Sequence, residues 1–191
     1  MYAIHTTPGF IIDSRPRGEA GKLLYVFTRD LGLVLASAEG IRLEKSKLRY
    51  YTGDYSFGTF SFVRGKEFWR MTSAAGEESR DRSHSEFFAR LSLLLRRFLT
   101  GEEPNAELFD AIKSCGDFLV THAELEGEQL KSLESLIVLR MLQYLGYVGK
   151  DVQVGEFFTG PEITMELLDK AAPLRTVMNQ HINKALKESH L

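Results

Sequence analysis

The spacing of apolar positions changes once along the chain, near residue 75, from a two-residue repeat to one of about 3.6 residues. Before that point, short runs rich in aromatic and β-branched residues, bounded by Gly, Pro and Asp, predict strands at 6–14, 22–28, 33–39, 55–63 and 68–73. The links Arg29-Asp30-Leu31-Gly32 and Arg64-Gly65-Lys66 have hairpin length and carry the glycine that tight turns use. Five strands in so short a stretch predict an OB-type barrel, because a sheet this small hides its edges only by closing on itself.

Beyond Ala75 the polar run at 76–82 reads as a connector, and Ser83 with Glu86 three positions later makes a capping box. Phe87, Phe88, Leu91, Leu94, Leu95, Phe98 and Leu99 then fall on one helical face until Gly101 ends the pattern. A second helix is predicted at 105–121, opened by Pro104 and carrying Leu108, Phe109, Ile112 and Phe118. The third, at 128–145, is apolar nearly all round, with Leu133, Leu136, Ile137 and Met141 on one side and Val138, Leu139 and Leu142 on the other, which places it centrally. A short helix after Pro161 and a last one at 173–187, with Leu174, Met178, Ile182, Ala185 and Leu186, complete the pattern. The expected fold class is α+β: a five-stranded OB-fold barrel over 1–76 followed by an all-α domain over 77–191.

A chain of 191 residues, 43% hydrophobic, can bury one good core or two small ones. The net charge of −2 conceals an asymmetry: residues 1–73 hold 11 Lys and Arg against 7 Asp and Glu, whereas the remainder holds 13 against 19. A polyanion would therefore meet the front half. A single cysteine, Cys115, excludes an internal disulfide and a thiolate-rich zinc site, and is expected to pack as a small hydrophobe in a reducing cytosol. The N-terminus lacks the basic stretch and apolar run of a targeting segment, and no apolar run is long enough to span a membrane, so a soluble cytoplasmic protein is expected.

Catalytic patterns are absent from the sequence. Gly18-Glu19-Ala20-Gly21-Lys22 has two residues between its glycines where a phosphate-binding loop has four, and Leu23 replaces the Ser or Thr that holds magnesium. His5, His84, His122, His181 and His190 form no i,i+4 pair suited to zinc. No Gly-x-Ser-x-Gly elbow occurs, Cys115 has no nearby histidine to activate it, and Glu77-Glu78 and Glu102-Glu103 sit in polar connectors where both carboxylates stay ionised. The expectation is a protein that is not an enzyme and needs no cofactor or metal.

The candidate chemistry is electrostatic. Arg42, Lys45, Lys47 and Arg49 fall within eight residues and are opposed there by Glu44 alone; Arg15, Arg17 and Lys22 come from the first connection. Loops of this kind neutralise phosphates and release counterions, although a merely solvated basic loop is an equal reading. Tyr50 and Tyr51 follow directly, and aromatic faces beside cations offer platforms on which unpaired bases stack. Tyr55 is a weaker third candidate. Most of the 12 aromatics within residues 1–73, including Phe27, Phe60, Phe62 and Trp69, are expected in the barrel core.

These residues also carry a resemblance. Arg15-Pro16-Arg17-Gly18-Glu19, Leu24-Tyr25-Val26-Phe27-Thr28, Gly32-Leu33-Val34, Ala38-Glu39-Gly40, Lys45-Ser46-Lys47-Leu48 and Val63-Arg64-Gly65-Lys66, in that order, resemble the N-terminal domain of the RecO family of bacterial DNA repair proteins. More faintly, 87–99, Glu107-Leu108-Phe109-Asp110, 139–147 and 173–191 resemble that family's helical domain. The resemblance implies an OB-fold followed by a helical domain, and a DNA-binding recombination mediator without turnover, close to the nucleoid. Such a protein anneals strands and loads RecA on DNA covered by single-strand binding protein. The partners it implies are single-stranded or partly duplex DNA, RecR, and the C-terminal tail of single-strand binding protein.

Two departures from the family pattern bear on these expectations. Many relatives carry a four-cysteine zinc module after the Leu-Gly-Tyr stretch, whereas 148–152 here holds no cysteine, so a zinc-free chain, short for the family, is expected. The first connection reads Arg-Pro-Arg where an aromatic often sits in the middle, which adds charge. For the partner tail, which is acidic and ends in apolar residues, Arg140 with Arg96 or Arg97 is the candidate docking set, while pairing of Arg140 with Glu134 or another core-edge carboxylate is the competing reading. An adaptor with an OB-fold and little DNA affinity is the alternative function.

Overall fold

The computed structural model describes residues 3–76, 84–149, 154–158, 160 and 162–189. The chain divides into two compact units, Met1–Ala106 and Glu107–Leu191.

In the first unit, strands β1 (Ile4–Arg17), β2 (Gly21–Thr28), β3 (Gly32–Ala38), β4 (Phe57–Arg64) and β5 (Trp69–Ala75) close into a barrel in the order β1-β2-β3-β5-β4. Every neighbouring pair is antiparallel except β3 and β5, which are parallel. This is the OB-fold arrangement the strand pattern predicts. The alternation along β2 explains it: Leu24 and Val26 point inward to join Ile11, Val34, Ala36, Phe60, Phe62, Trp69 and Met71 in one core, while Tyr25 faces outward.

The first strand serves two edges. Its N-terminal part pairs with β4 (Ile4↔Val63 to Phe10↔Phe57) and its C-terminal part with β2 (Gly9↔Thr28 to Arg17↔Gly21), with a register shift between Ile11 and Asp13 that bends the strand. At the crossing, a Cβ on Gly9 would lie 2.8 Å from Phe60 Cδ2 and 2.9 Å from Val26 Cγ1. Gly9→Ala is therefore expected to destabilise the barrel by about 1–3 kcal/mol through overpacking. Urea unfolding followed by Trp69 fluorescence checks it, and an unchanged midpoint would contradict the packing described.

Helix α1 (Ser85–Phe98) buries Phe87, Leu91, Leu95 and Phe98, and its Phe88 lies 5.8 Å from Phe10 and 6.2 Å from Phe57, which stack on each other at 4.4 Å. Because Ile11 points into the barrel, Phe10 points out of it and needs this cover. The packing puts α1 with the barrel, so the division falls after Ala106 and not at the 76/77 boundary that the change of periodicity suggests. The connector at 77–82 and Ser83 of the capping box lie outside the described residues, and the residue before the helix is His84.

After α1 the chain is strapped to the barrel. Leu33 N–H donates to the Gly101 carbonyl at 2.9 Å, Trp69 Nε1–H donates to Glu102 Oε1 at 2.9 Å, and Arg64 pairs with the same carboxylate. Burial alone would raise the Glu102 pKa, but the hydrogen bonds from Trp69 and Arg64 and the Arg64 charge outweigh it and hold the group below its ordinary value. Its stabilising contribution is present above the unfolded-state value of about 4.3 and is lost as pH falls through the depressed folded value. Glu102→Gln is thus expected to lower the unfolding midpoint at about pH 7 and to make progressively less difference toward about pH 3. A difference independent of pH would contradict the carboxylate's role.

In the second unit, α2 (Ala106–Thr121), α3 (Gly127–Tyr144), a 3-10 turn (Gly155–Phe158) and α4 (Met165–Glu188) follow one another. Every residue of α3 from Ser132 to Leu142 except Glu134 is buried, ten in all and on all sides of the helix, as its apolar pattern predicts. Helix α4 starts at Thr164, whose Oγ1 accepts from Leu167 N–H at 3.2 Å, and runs unbroken through Pro173. Two helices parted before Pro173 were expected. Pro173 only removes one donor to the Asp169 carbonyl, and burial of Leu168, Ala171, Met178, Ile182 and Ala185 along one face keeps the helix whole. Pro161 lies outside the described residues. Cys115 is fully buried in α2, where burial pushes its thiol well above the usual range, so it packs as a small hydrophobe. Among the described residues, no helix is long and apolar enough to cross a membrane.

Candidate nucleic-acid interface

The hairpin that joins β1 to β2 carries the first set of cations. Arg15, Pro16 and Arg17 pair with Leu23, Lys22 and Gly21, which leaves both arginines exposed at the strand end. The Arg15 guanidinium lies 5.5 Å from the centroid of the Tyr25 ring, and that of Arg17 lies 4.9 Å from the Phe68 ring. Lys22 Nζ donates to Ser14 Oγ at 3.2 Å.

The second set comes from the connection between β3 and β4. Its apolar residues anchor it: Ile41 is buried in the barrel core and Leu48 packs against that core. Successive turns, with Leu43 N–H on the Gly40 carbonyl, Ser46 N–H on Leu43 and Arg49 N–H on Ser46, lead into a 3-10 turn at Lys47–Tyr51. With Ile41 and Leu48 turned inward, Arg42, Lys45, Lys47 and Arg49 are all exposed, as is Leu43, and none of the four cations is ion-paired to a described residue. Tyr50 is exposed beside them and Tyr51 is half-buried.

The two connections meet through the main chain: Arg42 N–H donates to the Ala20 carbonyl at 3.0 Å. The register explains why, since Lys22 pairs with Ala38 and so sets the end of β3 beside the hairpin. Between them lies a shallow cleft of about 390 Å³ lined by Arg17, Lys22, Glu19 and Glu39 among others. Charge in the cleft itself is balanced, and the positive excess lies on the connection beyond it.

Tyr55 belongs to the scaffold. It holds φ at 66°, its N–H donates to the Ile11 carbonyl at 2.8 Å, and burial, then Asp54 and Asp13, raise its hydroxyl pKa, so it is a turn residue and not a stacking platform.

Four further residues at this face went unassigned in the sequence. The link between β4 and β5 brings Lys66 and Phe68 to the hairpin, as the contact of Arg17 with Phe68 shows, with exposed Arg70 next along β5 and Tyr25 on the outer face of β2. In an OB barrel these are the loops that flank the outer face of the second and third strands. The OB topology carries that signal, whereas local charge density along the sequence does not.

The proposed docking set is divided between the two units. Arg96 and Arg97 lie on α1 in the barrel unit, where Arg96 pairs with Asp13 and sits 4.0 Å from the Tyr25 centroid. Arg140, on α3 in the other unit, is fully buried: its Nε donates to the Phe157 carbonyl at 2.7 Å and an Nη donates to the Glu162 carbonyl at 3.2 Å. Burial lowers its pKa. An arginine enclosed in this way cannot meet a partner's tail, which corrects the expectation placed on it.

Residues 1–80 match the family described as Recombination protein O N terminal. Over those residues the chain matches the RecO family. It is similar to proteins named DNA repair protein RecO from Clostridium perfringens strain 13 (27% identical over 76% of this chain and 59% of that protein), Clostridium novyi (29%, over 76% and 57%) and Acaryochloris marina (31%, over 81% and 52%). The chain thus spans a little over half the length of these RecO relatives.

Proposed function

We propose that the barrel unit holds DNA strands by their phosphates, and that the chain serves DNA repair and recombination as a mediator with no bond-making step of its own. The observation that carries this reading is the set of four exposed cations at Arg42, Lys45, Lys47 and Arg49, unpaired among the described residues and joined through the main chain to the hairpin that carries Arg15 and Arg17. Counterion release on phosphate contact is the driving term for such a surface. In the finer reading the protein promotes annealing and RecA loading on strands covered by single-strand binding protein, with RecR and the tail of that protein as its partners. The names of the RecO relatives support a repair role.

One observation favours the alternative, an adaptor of little DNA affinity: Glu19 and Glu39 face the same cleft as Arg17 and Lys22. Annealing of complementary strands coated with their cognate single-strand binding protein separates the two readings. Wild type is expected to accelerate annealing, and a variant with Arg42, Lys45, Lys47 and Arg49 all changed to Ala is expected to lose most of that effect. Equal annealing by both proteins would remove the site assignment.

A further inference from the structure

We infer that the hairpin face of the barrel reads a strand through its phosphates alone, because arginines already cover the aromatic faces on which bases would otherwise stack. This rests on the DNA-binding reading above and specifies what part of the strand that face contacts.

Tyr25 and Phe68 are the aromatics at this face, and each is capped. The Arg96 guanidinium lies 4.0 Å from the Tyr25 centroid and is held there by its ion pair with Asp13; Arg15 lies over the same ring at 5.5 Å. Arg17 lies over Phe68 at 4.9 Å. A base could reach the covered face of either ring only by displacing a cation that is itself suited to the strand's phosphates, and under Arg96 at Tyr25 it would also have to break the Arg96–Asp13 pair. A guanidinium resting on a ring keeps its N–H edge available, and that planar fork matches phosphate oxygens. The same stacking that denies the ring to bases therefore orients the donors for the backbone.

Tyr50 provides the internal contrast. It is 56% exposed, and no cation or ring among the described residues covers it. Base contacts, where made, would concentrate there, so removing Tyr50 isolates the behaviour of the capped face. Recognition by that face should depend on chain length and charge and be indifferent to the presence of bases.

The test uses the full chain carrying Tyr50→Ala and two labelled strands of about twelve nucleotides, within the span one OB-fold covers: oligothymidine and an abasic tetrahydrofuran strand of equal length. Fluorescence anisotropy at low salt gives both affinities. The two strands are expected to bind within about fivefold of each other, less than one good base–aromatic stack would contribute. A preference for oligothymidine beyond that would overturn the inference and leave the DNA-binding reading intact. Loss of binding to both strands, already in the wild type, would instead sink the DNA-binding reading, and this inference with it.

Discussion

Replacing Arg140 with Ala is expected to cost the helical unit about 3–5 kcal/mol, a large share of the stability of a unit this size. The side chain is fully enclosed, and two of its nitrogens donate to the carbonyls of Phe157 and Glu162, residues 17 and 22 positions after Arg140 and beyond the end of α3. Truncation strips those carbonyls of charged donors and opens a cavity, and Phe157 and Glu162 lose these ties to α3. Arg140→Met, which keeps much of the volume and removes only the donors, should fall between wild type and Arg140→Ala. Urea unfolding followed by far-ultraviolet circular dichroism gives the midpoints, because the one tryptophan, Trp69, lies in the barrel unit. Hydrogen exchange at the amides of 154–158, 162 and 163 should show the loosening directly. A Met variant as stable as wild type would mean that shape, and not the charged donors, holds this segment.

The second large effect concerns binding. Changing Arg42, Lys45, Lys47 and Arg49 together to Ala should leave folding intact, since all four side chains are exposed and none is ion-paired to a described residue, while Ile41 and Leu48 still anchor the connection. Affinity for single strands should fall by roughly a hundredfold or more at low salt, and the slope of log affinity against log salt should flatten by about three if each residue meets one phosphate. The loss should narrow as salt rises, because it is the counterion term that has been removed. A loss that stays the same at every salt concentration would point to damaged structure and not to missing charge.

How legible each feature was in the sequence follows from what carried it. The barrel was readable because Leu24, Val26, Val34 and Ala36 alternate with outward residues, and that alternation is a local property. The start of α4 was not. Pro173 reads as a first-turn residue, and only the Thr164 cap and the buried stripe on either side of the proline show that the helix passes through it. The placement of α1 depended on Phe10 and Phe57 facing out of the barrel, a fact fixed by closure and not by the helix's own pattern.

The candidate interface divides along the same line. Exposure of the basic connection followed from its composition, and its meeting with the hairpin from the OB topology. The roles of Phe68 and Tyr25 depend on cation–ring contacts across strands, which no run of neighbouring residues reveals. Arg140 misled because a cation on an apolar helix reads equally as a docking residue at a groove or as an internal donor; its carbonyl partners lie beyond the end of that helix.

The central claim, that the barrel unit meets DNA through its phosphates, is tested most directly by titrating salt against the affinity of the wild-type chain for a single strand. With four to six phosphates neutralised, log affinity is expected to fall with log salt at a slope of roughly −3 to −4. Weak binding that barely changes with salt would contradict the account and favour an adaptor whose barrel has no use for DNA.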